Sequence, residues 1–223
     1  MSGMTLPAYD LAIFDFDGTL ADSGGVVLTL VNPMAERFGF RTVTEDEIAV
    51  LRGQPNREVI RYLGIPFWKL PLIAREGRKQ IGAQVALIPL FPGVADMLWT
   101  LSAAGLRLAV VSSNSETTIR RVLGDELAGL IEFYGCGTSF FGKTRKFRKV
   151  ARLARVAPSR VIAIGDETRD IEAAKAAGMA SGAVAWGYAT PQILSRCAPT
   201  ALYQTRDEII FDLTASTRRR GGD

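Results

Sequence analysis

The chain contains no histidine among its 223 residues. This removes the commonest general base, the Ser-His and Cys-His nucleophile pairs, and any histidine-bound zinc. Acid–base chemistry must then fall to carboxylates, lysine, tyrosine or cysteine. Cysteine is scarce too: Cys136 and Cys197 lie far apart, match no metal or redox spacing, and read as free thiols in a reducing compartment. No Lys or Arg precedes Arg37, so the N-terminus lacks the cationic start of a signal peptide. The uncharged stretch Ala176–Ser195 is broken by Gly178, Gly182, Gly187 and Pro191 and does not read as a membrane span. No low-complexity segment or internal repeat is present, which excludes fibrous and disordered classes. A cytosolic chain with no membrane partner is expected.

What is present is a globular composition, 48% apolar and 22% charged, enough for a full core and a second, smaller module. The net charge is +4 and the pI near 9.3. Part of the excess sits in Arg218, Arg219 and Arg220 at the end. A denser run, Lys143 to Arg155, alternates with Phe147, Val150, Leu153 and Val156 at helical spacing, the pattern of a solvated helix face. No nucleic-acid partner is expected, although a mildly basic field favours anionic substrates.

Apolar runs at 11–14, 106–111, 161–164 and 183–186 each end in small or acidic residues and read as buried parallel strands. Helical patterns lie between them, at 94–104, 116–123, 146–156 and 168–177. The alternation predicts an α/β fold with a Rossmann-like, doubly wound parallel sheet. In such sheets ligands bind beyond the carboxyl ends of the strands, where Asp15, Ser112 and Asp166 fall. Residues 24–89 differ, with helical apolar spacing and Gly/Pro punctuation, and predict a small helical cap of about four helices. The expected division is a core of 1–23 and 90–215, the cap 24–89, and a basic, disordered tail 216–223.

Four elements carry candidate chemistry. Asp15-Phe16-Asp17-Gly18-Thr19-Leu20 follows the first strand directly. Two carboxylates so close need a cation or a proton between them; magnesium suits oxygen ligands, and a nucleophile paired with a general acid suits the proton. An Asp-Gly turn is the silent alternative. Gly165-Asp166-Glu167-Thr168-Arg169-Asp170 follows another strand and opens a helix; Asp166 and Asp170 lie one turn apart, as metal ligands or as helix caps. Ser112-Ser113-Asn114-Ser115 offers hydroxyls and amides at a helix start, a phosphate cradle or ordinary caps. Lys143 offers a cation, or merely surface charge.

In this order the four elements resemble the haloacid dehalogenase superfamily, and the insertion after the first motif resembles the phosphoglycolate phosphatase-like branch. The resemblance spans Leu11 to about Leu213. It implies a phosphatase that acts on a small-molecule phosphate ester through an aspartyl-phosphate, with Mg2+ as cofactor. Asp15 is then the nucleophile, and Asp17 the acid/base whose main-chain carbonyl also meets the metal. Ser112, the Ser113 amide and Asn114 hold the phosphoryl oxygens, and Lys143 neutralises charge. Asp15, Asp17 and Asp166 form the metal site, with Asp170 in support. Thr144 stands where relatives carry proline, which leaves Lys146 as a rival to Lys143.

Asp17 argues against dehalogenase chemistry. Phosphonatase relatives need a cap lysine, for which Lys69 and Lys79 are the candidates, and mutase relatives a hinge histidine, which is absent. A phosphomutase and a non-catalytic binding module are the remaining alternatives. Arg52, with Arg57 nearby, is the candidate for a carboxylate or second phosphate on the substrate. Phe67 and Trp68 are expected to pack the cap.

Overall fold

A computed structural model describes residues 9–51, 54, 56–137 and 142–218. Its centre is a six-stranded sheet in the order β3-β2-β1-β4-β5-β6, with every neighbouring pair parallel. The strands are β1 (Leu11–Phe14), β2 (Arg107–Val111), β3 (Ile131–Gly135), β4 (Val161–Gly165), β5 (Ala180–Val184) and β6 (Ala201–Tyr203). This is the doubly wound order, with β1 at the centre and the chain winding outward to both edges.

Successive side chains of a strand face opposite ways, and β1 divides its residues accordingly. Ala12 and Phe14 join Met97, Leu98, Ile119 and Ile209, from helices α5 (Val94–Ala103), α6 (Glu116–Leu130) and α10 (Arg206–Arg218). Leu11 and Ile13 join Phe147, Val150 and Ala174 on the opposite face, from α7 (Lys143–Leu153) and α8 (Thr168–Ala177). A short helix, α9 (Pro191–Arg196), precedes β6.

Between β1 and α5 lie α1 (Gly24–Phe38), α2 (Glu45–Leu51), α3 (Asn56–Tyr62) and α4 (Leu70–Ala83), with single 3-10 turns at Phe67–Lys69 and Val85–Leu87. The two strands of chain entering and leaving this helical insertion run side by side. Asp22 N–H donates to the Pro89 carbonyl at 2.8 Å and Phe91 N–H to the Leu20 carbonyl at 3.0 Å, with an antiparallel bridge between Ala21 and Leu90.

Several elements depart from the sequence expectation. The strand expected at 183–186 begins at Ala180 and ends at Val184, because Ala180, Ser181 and Gly182 carry little apolar signal. The edge strands β3 and β6 were not expected; only Ile131 and Tyr203 in them are buried, so neither has the pattern of a strand covered on both faces. Helix α7 begins at Lys143 and ends at Leu153, and α10 continues to Arg218, into the segment expected as a disordered tail. Phe67 and Trp68 do not pack the insertion: they are 65% and 79% exposed. Among the described residues no helix is long and apolar enough to cross a membrane.

Candidate active site

The site forms at the carboxyl ends of β1, β2 and β4, beside the two linkers of the insertion. After Phe14 the chain turns sharply. Gly18 takes φ +76°, its N–H donates to the Ala21 carbonyl at 2.9 Å, and the Leu20 and Ala21 amides fold back onto the Phe16 carbonyl. This turn puts the two aspartates in different surroundings. Asp15 is buried, with Oδ1 accepting from its neighbour's amide, Phe16 N–H, at 2.8 Å. Its Oδ2 meets Lys143 Nζ at 2.7 Å. Asp17 turns the other way: Oδ1 accepts from Ser23 Oγ at 2.8 Å, and Oδ2 accepts from Asn114 Nδ2 at 2.9 Å and from Ser112 Oγ at 3.4 Å.

The serine-rich turn divides its labour. Ser115 caps α6, accepting from Thr118 N–H at 3.1 Å, so the ordinary capping alternative holds for that residue. Ser112 and Asn114 are buried and face Asp17, while Ser113 lines the cleft. In the acidic turn after β4, Asp166 is fully buried, accepting from Thr19 Oγ1 at 2.9 Å and from Tyr188 N–H at 2.8 Å. Asp170 does two things at once. Its Oδ2 accepts from Glu167 N–H at 3.0 Å, closing the first turn of α8, and its Oδ1 is ion-paired with Lys143 but has no hydrogen-bond partner.

Oxygens of Asp15, Asp166 and Asp170 lie within 4.8 Å of one another, all three residues buried. For Asp15 and Asp166 burial disfavours the charged form, and repulsion by the neighbouring carboxylates adds to it. Asp15 is pushed up to about 6, mainly by burial, with Lys143 opposing the shift. Asp166 is raised by burial and then by Glu167, Asp170 and Asp15. Asp17 is also raised by burial, against the hydrogen bonds from Ser23 and Asn114. Lys143 loses solvation, but Asp15 and Asp170 outweigh that and hold its ammonium protonated well above the ordinary lysine range. An all-oxygen set of three buried carboxylates gathered around one lysine has the chemistry to hold a hard divalent cation.

Lys146 is occupied elsewhere, donating to the main-chain carbonyls of Ser112, at 2.7 Å, and of Gly137. The lysines of the basic run therefore separate: Lys143 and Lys146 turn inward, while Arg145, Arg148, Lys149, Arg152 and Arg155 form the exposed face of the run. In the insertion, Lys69 donates to the Phe38 carbonyl at 2.7 Å and Lys79 is exposed. Arg52 lies outside the described residues, and Arg57 is exposed on α3.

Sequence reasoning did not single out Ser23, Tyr188 or Arg169 for the site. Ser23 is fully buried at the start of the insertion and also meets the Tyr188 hydroxyl at 2.7 Å. Arg169 lines a cleft of about 310 Å³ together with Asp15, Asp17, Ser112, Lys143 and Lys146. Its position inside the acidic motif was the available signal; Tyr188 sits in a loop with none.

The family profile described as haloacid dehalogenase-like hydrolase matches residues 12–184, from within β1 to the end of β5. The chain belongs to the haloacid dehalogenase-like hydrolases. A phosphoglycolate phosphatase of Synechococcus elongatus is 34% identical over 208 residues, covering 93% of this chain and 98% of the relative. A tyrosine-protein kinase of Mycobacterium bovis is 29% identical over 200 residues, covering 86% of this chain and 67% of that protein. A solved structure described as a predicted phosphatase from Clostridium acetobutylicum superposes with a TM-score of 0.79 at 20% identity, covering 93% of this chain and 99% of that one, and so shares the fold. This haloacid dehalogenase-like hydrolase is a phosphoric monoester hydrolase of the phosphoglycolate phosphatase-like kind.

Proposed function

We propose that this hydrolase cleaves a small phosphorylated metabolite, with phosphoglycolate the first candidate, through an aspartyl-phosphate on Asp15. The observation that carries the reading is the separation of the two aspartates. Asp15 is held by Lys143 among the buried acids, and Asp17 by Ser23, Asn114 and Ser112. Two carboxylates in such different surroundings can take the roles of nucleophile and acid/base.

In the first step an Asp15 carboxylate oxygen attacks phosphorus, the ester P–O bond breaks, and protonated Asp17 gives its proton to the leaving oxygen. Asp17, now a carboxylate, takes a proton from water as that water attacks phosphorus; the Asp15 P–O bond breaks and inorganic phosphate leaves. Ser112 and the Ser113 amide bind phosphoryl oxygens at the start of α6, and Asn114 keeps Asp17 aimed. Lys143 offsets the negative charge of Asp15 and of the phosphoryl group. Asp15, Asp166 and the Asp17 main-chain carbonyl would hold Mg2+, with Asp170 in support. When bound, the ion keeps the buried carboxylates ionised and lowers the repulsion between an anionic nucleophile and an anionic phosphate.

The test is phosphate release from a panel of phosphorylated metabolites, with magnesium and with EDTA, for the parent and Asp15→Asn. The expected result is release that needs magnesium and falls about 10³-fold or more in the variant. Magnesium without substrate should also raise the melting temperature, since it binds only the folded acid cluster. No release from any ester, or an Asp15→Asn variant as active as the parent, would overturn the reading.

A further inference from the structure

Three cations line the cleft that contains Asp15 and Asp17, and two of them are committed. Lys143 is paired with Asp15 and Asp170, and Lys146 with the carbonyls of Ser112 and Gly137. Arg169 differs. It stands in the first turn of α8 with its side chain 53% exposed. Among the described residues its guanidinium is bound only by Glu167, whose carboxylate accepts from Nη2 at 2.9 Å and is ion-paired with Nε at 2.8 Å.

A guanidinium presents five N–H donors in a rigid planar fork. A carboxylate on the Nε edge leaves the opposite edge, Nη1 and the second hydrogen of Nη2, for another anion. Glu167 is itself mostly buried, its side chain 13% exposed. It therefore fixes the plane of the fork, and a ligand that binds the open edge loses little further side-chain freedom.

Resting on the reading of this cleft as a phosphatase site, we propose that Arg169 binds a second anionic group on the substrate. That group is a carboxylate close to the ester oxygen, and Arg169 thereby selects phosphate esters of small hydroxy acids over neutral esters of the same size. The planar fork suits a carboxylate bidentately, and a cleft of about 310 Å³ favours a small acid. Discrimination then comes from the core, on the motif that carries Asp166 and Asp170, as well as from any contact made by the insertion.

Phosphoglycolate and ethyl phosphate form a matched pair that differs chiefly in the carboxylate. For Arg169→Met, kcat/KM on phosphoglycolate should fall about 10- to 100-fold through KM, the worth of a charge-assisted hydrogen-bond pair. The value for ethyl phosphate should fall by less, so that the ratio of the two kcat/KM values drops about 10-fold or more, while circular dichroism and the melting temperature show that the variant is folded. Arg169→Lys, which keeps the charge without the fork, should show a preference for the acid between those of parent and Met variant. An equal fall on both esters, or an acid preference unchanged in both variants, would overturn the assignment. A parent that releases phosphate from neither ester fails at the phosphatase reading instead, and the two failures are told apart by the parent alone.

Discussion

A Cβ added at Gly18 would lie 2.2 Å from Asp166 Oδ2, on a backbone already at φ +76°. Two independent demands therefore meet at one residue: a left-handed turn that sends Asp17 away from Asp15, and the approach of a buried carboxylate to the turn. Gly18→Ala should lower kcat about 100-fold, the usual cost of misplacing reacting groups by about an ångström. It should also lower the melting temperature, and a variant with parental kcat would show that the turn has slack. At the same scale, Cys136 is pushed up to about 11 by burial, with Glu116 adding to it. A raised pKa keeps the thiol neutral, so in a Cys197→Ser background alkylation by iodoacetamide at pH 8 should be about a hundredfold slower than for an unperturbed thiol. The rate should climb with pH until about 11; a plateau near pH 9 would contradict the burial. Position at the mouth of the sheet was legible where an acidic residue closely follows an apolar run, as at Asp15, Asp17 and Asp166. It was not legible for Ser23, whose part depends on a hydroxyl folding back on a carboxylate six residues earlier.

Helices were read best where their periodicity is uninterrupted, and α6 shows what interrupts it. The sequence pattern predicts a helix over 116–123, whereas the observed element runs from Glu116 to Leu130 with Gly124 at φ 71°, ψ 164° inside it. The reading stopped where the helix breaks, and a second helical segment follows the kink. That conformation belongs to glycine almost exclusively, so Gly124→Ala should destabilise the protein by about 1–3 kcal/mol, measured by urea unfolding. A cost near zero would mean that the two segments can merge into one continuous helix. The basic helix α7 shows a related limit of periodicity: Lys143 and Lys146 are marked by the motif and not by the helical spacing. Its charges alternate with apolar residues as on any solvated helix, and nothing in that spacing distinguishes Lys143 and Lys146, which turn inward, from Arg145 and Lys149, which do not. What separates them is the position of the first turn of α7 at the mouth of the sheet, a property of the packing of two layers.

Across the whole molecule, burial is distributed unevenly between the sheet and the insertion, and that difference governs both legibility and motion. Leu11, Ala12, Ile13 and Phe14 are each 0% exposed, and strands covered on both faces announce themselves as continuous apolar runs. The insertion buries Val26, Ala35, Val43, Leu70, Val85 and Ile88 among its described residues, a thin core carried by α1, the start of α4 and the loops and turn beside them, with no described residue of α2 or α3 in it. Its existence was readable from composition and punctuation, but its packing was not, as the exposure of Phe67 and Trp68 shows. Regions with few buried apolar contacts open at lower free energy than central strands. Amide hydrogen exchange should therefore proceed faster in α2 and α3 than in β1, β2 and β4. The linker amides of Asp22 and Phe91, whose hydrogen bonds run between the two crossing strands of chain, should exchange at rates closer to those of the sheet. If α2 and α3 were protected to the same degree as β1, the insertion and the sheet would open as one cooperative unit, and the paired linkers would not mark a boundary between them.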